Sequence, residues 1–170
     1  MNRQIYISNE ILQLVEHKPC DDCALYENWL DPATQEGYNG IYVTTFEEFK
    51  RREVRQRFFA MIRLNSTNEI IGAVGISPPE TIPDLAIWIF QPYRRQGYGT
   101  SAFALATKYA IENLKITELH ASAYENNIGS RKMLLKCGYV PYPAGTAENG
   151  TEKHYLTSEE IVQMDYIFIP

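Results

Sequence analysis

Residues 91–102 read QPYRRQGYGTSA and follow directly on the apolar run LAIWIF, residues 85–90. The order is strand, basic glycine turn, helix. From Thr100 to Leu114, the apolar residues Phe103, Ala106, Ala110 and Leu114 recur at helical spacing. TELHASAY (117–124) then reads as a further strand. Two strands joined by a helical crossover run parallel, so 85–90 and 117–124 are expected to be parallel partners. A helix N-terminus presents unpaired N–H groups and a partial positive charge, which suits it to an anion. Gly97 and Gly99 have no side chains to block approach to the backbone, and Arg94 and Arg95 add positive charge beside the same opening. The simplest cargo is a phosphate or pyrophosphate.

Outward from this turn, ILQLVEH (11–17) reads as a strand and DDCALYENWL (21–30) as a helix. DPATQEGYNG (31–40) is turn-rich, and TFEEFKRREVRQ (45–56) predicts a second helix capped by Thr44 or Thr45. RFFAMIRL (57–64) and IIGAVGIS (70–77) flank the turn NSTNE as a β-hairpin. Downstream, NIGSRKMLLKC (127–137) predicts a helix, with Gly138 where a left-handed C-terminal cap favours glycine. YVPY (139–142) and VQMDYIFI (162–169) read as closing strands, with PAGTAENGTEK between them as a loop. The expectation is one α/β (α+β) domain over residues 1–170. Its sheet is mixed, antiparallel at the start, with a central parallel pair.

The bulk numbers agree with a globular chain. It has 170 residues, 45% of them hydrophobic and 22% charged, with a formal net charge of −5. Net negative charge disfavours general nucleic-acid binding, and FKRREVRQR (49–57), with Glu47 and Glu48 beside it and Glu53 within it, reads as a solvated helix face. The N-terminus lacks the apolar segment of a signal peptide, and no run approaches membrane-spanning length, so no membrane partner is expected. Three cysteines, an odd number, point to a reduced, cytoplasmic protein. His17, Cys20 and Cys23 form H-x-x-C-x-x-C, but no second pair at ligand spacing follows. Ordinary cysteines at a strand-to-helix junction are expected there, with no metal.

The turn alone leaves alternatives open. GYGTSA fits the dinucleotide pattern G-x-G-x-x-A, but six residues separate strand from glycine, and Glu118 begins its strand where the ribose-binding acid ends one. A phosphate-loop NTPase requires Gly-Lys-Ser/Thr, which is missing. A plain helix start with chance arginines is the third reading.

In its wider context, QPYRRQGYG resembles the R/Q-x-x-G-x-G/A signature of the GNAT acetyltransferase superfamily, with Arg94, Gly97 and Gly99 in the fixed places. YENNIGSRKMLLKCGY resembles the second signature of that superfamily through Asn127, Ser130, Gly138 and Tyr139. HKPCDDCALYENWLDPATQ looks like the opening of the branch that acetylates protein N-termini, those of ribosomal proteins included. The resemblance implies a GNAT fold whose parallel strands splay apart, and acetyl-CoA as cosubstrate. It implies that backbone amides from Arg95 through Gln96, Gly97, Tyr98 and Gly99 to Thr100 cradle the pyrophosphate. It also implies that the pantetheine arm pairs with Trp88, Ile89 and Phe90 as an added strand, and that Asn127 hydrogen-bonds the arm.

Acetyl transfer to an amine needs an unprotonated amine, a donor for the tetrahedral oxyanion and an acid for the departing thiolate. An α-amine, with a reference pKa of about 7.7–8.0, needs less help than a lysine at about 10.4. A backbone N–H near Phe90 is the expected oxyanion donor. Many GNAT enzymes have a tyrosine acid seven residues after the signature asparagine, and Leu134 stands there instead. Ser130, one helical turn earlier, and Tyr124 are the hydroxyls left for the role. Ser130 also reads as a helix-start residue bonded to backbone or cofactor. Asp84 is the candidate base, one residue off the family's glutamate position, with a solvent-facing carboxylate as its plain reading and solvent as the other base. Glu27, Asp31 and Glu36 suit a cationic amine, and Tyr38 and Tyr42 are candidates for the same cleft. The first acceptor expected is a protein N-terminal α-amine. The alternatives are a small amine (polyamine, amino sugar or antibiotic) or a non-catalytic acyl-CoA-binding module. A monomer or homodimer is expected.

Overall fold

The computed structural model describes residues 2–142 and 163–170. Five strands form one antiparallel section in the order β1 (Ile5–Ser8), β2 (Leu12–Val15), β3 (Phe58–Leu64), β4 (Ile70–Ile76) and β5 (Leu85–Ile89). Three more form a second section in the order β6 (Leu119–Tyr124), β8 (Gln163–Phe168), β7 (Val140–Tyr142). The sections meet at a single parallel bridge, Asp84 with His120, where the His120 N–H donates to Pro83 O at 2.8 Å. The expected parallel pair is therefore joined at its start and splayed beyond it.

Alternation along the strands fills both faces of the sheet. In β3, Ala60 and Ile62 enter one cluster with Phe103 and Ala106, while Met61 enters the other with Leu25 and Phe49. The first cluster is covered by α4 (Tyr98–Glu112) and α5 (Ile128–Lys136). Within it, the buried Thr107 hydroxyl bonds both Phe103 O and the Tyr139 hydroxyl, each at 2.9 Å. The second cluster lies under α1 (Asp22–Leu30) and α3 (Phe46–Arg51).

Several expectations change here. The strand β1 is added at the edge. Residues 31–40 hold a helix, α2 (Pro32–Tyr38), where only turns were expected. Its signals are local: Asp31 caps it by accepting the Thr34 N–H, Pro32 sits at the first position, and Asn39 closes it in the left-handed region at φ 45°. α3 stops at Arg51 rather than running to 56, because the next apolar position, Val54, finds nothing to bury against and stays exposed. Thr45 and Glu48 form its capping box. Gly138 adopts φ 85°, as a C-terminal cap requires. The expected loop PAGTAENGTEK lies outside the described residues. Among the described residues, no helix is long and apolar enough to cross a membrane.

One irregularity shapes the strand that carries the site. Ile62 pairs with Gly72 and Arg63 with Ile70, so Ile71 is bulged out of register. Beside the bulge, β4 presses so close to β5 that a Cβ on Gly72 would run into the Trp88 carbonyl. Backbone, not a flexible side chain, blocks it. Gly72→Ala is expected to lower unfolding stability by about 1–3 kcal/mol, the usual cost of overpacking, read as a shift in the denaturant midpoint at unchanged slope.

Candidate functional site

The pairing of β5 decides which of its backbone groups face the splay. Ser77 N–H donates to Asp84 O and Phe90 N–H to Ile71 O. The polar groups of Asp84, Ala86, Trp88 and Phe90 therefore turn toward β4, and those of Leu85, Ile87 and Ile89 turn into the gap. Both outer carbonyls on the gap side have partners. The Tyr38 hydroxyl donates to Ile87 O at 2.8 Å, and Arg94 Nε donates to Ile89 O at 2.7 Å. The gap edge thus presents the N–H groups of Ile87 and Ile89. Of the expected run Trp88, Ile89 and Phe90, Ile89 faces the gap, joined by Ile87, while the Trp88 and Phe90 groups turn into the sheet, with the Phe90 N–H on Ile71 O.

Two clefts open on the gap. One, of about 770 Å³, is lined by the glycine turn, the start of α5 and α2. The other, of about 420 Å³, is lined by Asp84, Ser122, Tyr124 and the inner edge of β5. Tyr38, Ile87, Trp88, Asn127, Ser130 and Met133 line both, so the clefts share a wall at the splay. Burial pushes the Tyr38 hydroxyl above the ordinary phenol value, and the Asp84 charge adds to the shift, so Tyr38 is a neutral donor. Its ring stacks on Trp88 with centroids 6.2 Å apart. Trp88 Nε1 is buried with no acceptor among the described residues.

The turn delivers an uncapped helix start to the first cleft. After the short 3-10 turn Gln91–Tyr93, Arg95 and Gly97 both take left-handed backbone, at φ 61° and 84°. Gly97 is the N-cap of α4, and no side chain caps the helix. Its first N–H groups therefore have no side-chain cap. A Cβ on Gly99 would come no closer than 3.6 Å to Ile89 and Met133, so the protein has room for it; the missing side chain leaves space in the cleft floor instead. Arg95, exposed, and Lys132 of α5 line the same cleft. The Gln96 amide turns back to Pro92 O at 3.0 Å, and the Tyr98 ring packs on the core, so both side chains are engaged within the protein.

Arg94 lines the first cleft, and its guanidinium is also engaged within the protein. Its Nη1 donates to Asp31 Oδ2 at 2.7 Å, and Nη2 to Asn28 Oδ1 at 3.1 Å and Thr34 Oγ1 at 2.7 Å. With Nε on Ile89 O, the side chain faces the protein, and Arg95 is the turn arginine left exposed.

Asn127 caps α5, its Oδ1 accepting the Ser130 N–H at 3.1 Å, while Nδ2 reaches Gly37 O at 3.5 Å. The partly buried Ser130 therefore engages the cap through its backbone, and the residue lines both clefts. Leu134 is 1% exposed, a core residue, so no acid belongs at that position. Asp84 lines the second cleft only. Of the other carboxylates, Glu36 lines the first cleft, Asp31 pairs with Arg94, and Glu27 accepts from Cys23 at 3.5 Å. Tyr42 stacks on Trp29 outside both linings. His17 pairs with Asp22 at 2.9 Å, and the described residues contain no cluster able to hold a metal ion. Sequence reasoning missed Lys132 and the Asn28–Thr34 pair around Arg94. Lys132 sits one turn into a helix whose start was legible; the pair lies 60–66 residues from its arginine, with no local signal.

Residues 13–140 match the family described as acetyltransferase (GNAT) domain. Solved structures share the fold. An acetyltransferase from Agrobacterium tumefaciens str. C58 gives a TM-score of 0.77 at 19% identity, covering 100% of this chain and 95% of that one. An acetyl transferase from Salmonella typhimurium that modifies the N-terminal serine of 50S ribosomal subunit protein L7/L12 gives 0.71 at 15%, covering 98% and 99%. Spermidine N-acetyltransferase from Vibrio cholerae, in complex with CoA and spermine, gives 0.77 at 13%, covering 95% and 96%. At these identities the likeness is one of fold. No curated protein matches the sequence.

The Arg94–Asp31 pair makes a pH prediction. Burial disfavours the Asp31 charge, but the hydrogen bonds from Arg94 and the Thr34 N–H outweigh it and hold the carboxyl below the ordinary 3.8. A depressed folded pKa contributes stability that is full above the unfolded value and is lost as pH falls through the folded one. Asp31→Asn is therefore expected to be less stable than wild type at neutral pH. The difference should shrink as the pH falls below about 4, read from urea midpoints across pH.

Proposed function

Because the chain belongs to the GNAT acetyltransferase family, we propose that it transfers an acetyl group from acetyl-CoA to a primary amine by direct attack, with no acyl-enzyme. The observation that carries this reading is the shared wall of the two clefts at the splay. It gives a donor and an acceptor separate approaches to one place.

The first cleft suits acetyl-CoA. The uncapped start of α4, with the exposed Arg95 and with Lys132, matches a pyrophosphate, and the space at Gly99 lets it reach the backbone. The Ile87 and Ile89 N–H groups match the carbonyls of an extended arm and, at the thioester, a developing oxyanion. Bound there, acetyl-CoA supplies the activated acyl group. Around it, Ser130 is the proton donor for the departing thiolate, and Asp84 in the second cleft takes the amine proton, directly or through water. Tyr38 stays protonated and holds its hydrogen bond on β5.

The acceptor we favour is a protein N-terminal α-amine. A sizeable fraction of such amines is unprotonated near neutral pH, so one carboxylate or solvent suffices as base. The second reading is a small polycationic amine. It is supported by Asp84 and the Trp88–Tyr38 stack on the wall of the second cleft, which suit a cation.

A panel of N-terminal peptides, polyamines, amino sugars and aminoglycosides, assayed by release of the CoA thiol, is expected to show turnover greatest with an α-amine peptide. Ser130→Ala is expected to lower kcat by about 10²-fold. Gly99→Ala is expected to fold normally and weaken CoA binding by about tenfold, read by calorimetry. Wild-type binding of acetyl-CoA with no thiol release across the panel would replace the enzyme with a binding module.

A further inference from the structure

Arg94 occupies the signature position of the turn, yet its guanidinium holds two structural elements together. Four of the five N–H donors of a guanidinium find acceptors, on Ile89, Asp31, Asn28 and Thr34. Ile89 ends β5; the other three lie at the end of α1 and the start of α2. The pair is sheltered, with Arg94 24% and Asp31 20% exposed. Asp31 is also the residue that starts α2, through its bond from the Thr34 N–H at 2.9 Å. At the far end of the same helix, Tyr38 bonds Ile87 O. The seven-residue helix is thus fastened at both ends to β5, on the two outer gap-facing carbonyls. The Ile89 N–H lies between them and the Ile87 N–H just before the first, both on the gap side, and Tyr38 forms part of the wall shared by both clefts.

The geometry points to Arg94 as a positioning residue that, through Asp31, seats α2 and Tyr38 along the gap edge of β5 and so governs the acceptor's access to the splay, not the grip on the donor's phosphates. The seating stands on the contacts alone; the word acceptor rests on the acyl-transfer reading above. A planar fork reaches all four acceptors at once, and a lysine ammonium does not.

Four full-length proteins test this: wild type, Arg94→Gln, Arg94→Lys and Asp31→Asn. Amide hydrogen exchange is followed over α2 and α4, CoA affinity by calorimetry, and kinetics with the best amine of the panel. Exchange across residues 32–39 is expected to quicken tenfold or more in Arg94→Gln and Asp31→Asn, with α4 unchanged. CoA affinity should stay within threefold, acceptor kcat/KM should fall tenfold or more, and Arg94→Lys should not rescue it. Asparagine caps a helix as well as aspartate, so Asp31→Asn removes only the charge and carries the comparison even if Arg94→Gln fails to fold. Unchanged exchange across 32–39 in the folded variants overturns the inference. So does a tenfold loss of CoA affinity in Arg94→Gln that Asp31→Asn does not share. If wild type turns over no amine, the acyl-transfer reading falls, while the exchange comparison still decides whether Arg94 seats α2.

Discussion

Strands β5 and β6 are tied at one end and free at the other, and the rest of the site depends on that arrangement. The tie is the bridge between Asp84 and His120, with its bond to Pro83 O. Had the parallel ladder continued, the Ile87 and Ile89 groups would be consumed by β6 and no cleft would exist. A strand edge in the middle of a fold carries backbone groups that need partners. Here the Ile87 and Ile89 carbonyls are answered by Tyr38 and Arg94, and the N–H groups of the same two residues are left facing the gap. An edge that offers donors can stabilise an oxygen that gains charge when its carbonyl carbon is attacked.

The turn after β5 follows from the same geometry. The chain must leave the strand, turn back and start α4 beside the gap. Six residues and two left-handed positions, Arg95 and Gly97, accomplish this. The helix start then lines the larger cleft, with no side chain capping it. One arginine of the pair is turned inward to hold α2 and the other is left exposed, so neighbours in sequence do separate work.

Much of this was legible beforehand. The hairpin at 57–77, the crossover helix, the parallel pair, the cap at Gly138 and the glycine turn at Gly97 and Gly99 all rest on local patterns or on the chirality of short connections, and they stand close to where they were expected. α2 was also legible in principle, from Asp31, Pro32 and Asn39, but its small polar residues hid the helix behind turn chemistry. The length of α3 was not, because only packing decides that Phe49 is buried while Val54 is not.

The division between sequence and structure is clearest at Arg94 and Phe90. By itself the sequence determined that a strand would pass through a glycine turn into a helix, since helix starts, left-handed turns and alternation act over a few residues. It also determined that Leu134 could not serve as an acid. Only the tertiary structure decided that the Phe90 N–H belongs to the sheet, that Ile87 and Ile89 face the gap, and that Arg94 reaches across 63 residues to Asp31. Those outcomes hang on register and on which elements pack together, and a side chain's partner at long range is fixed by geometry that no local pattern carries.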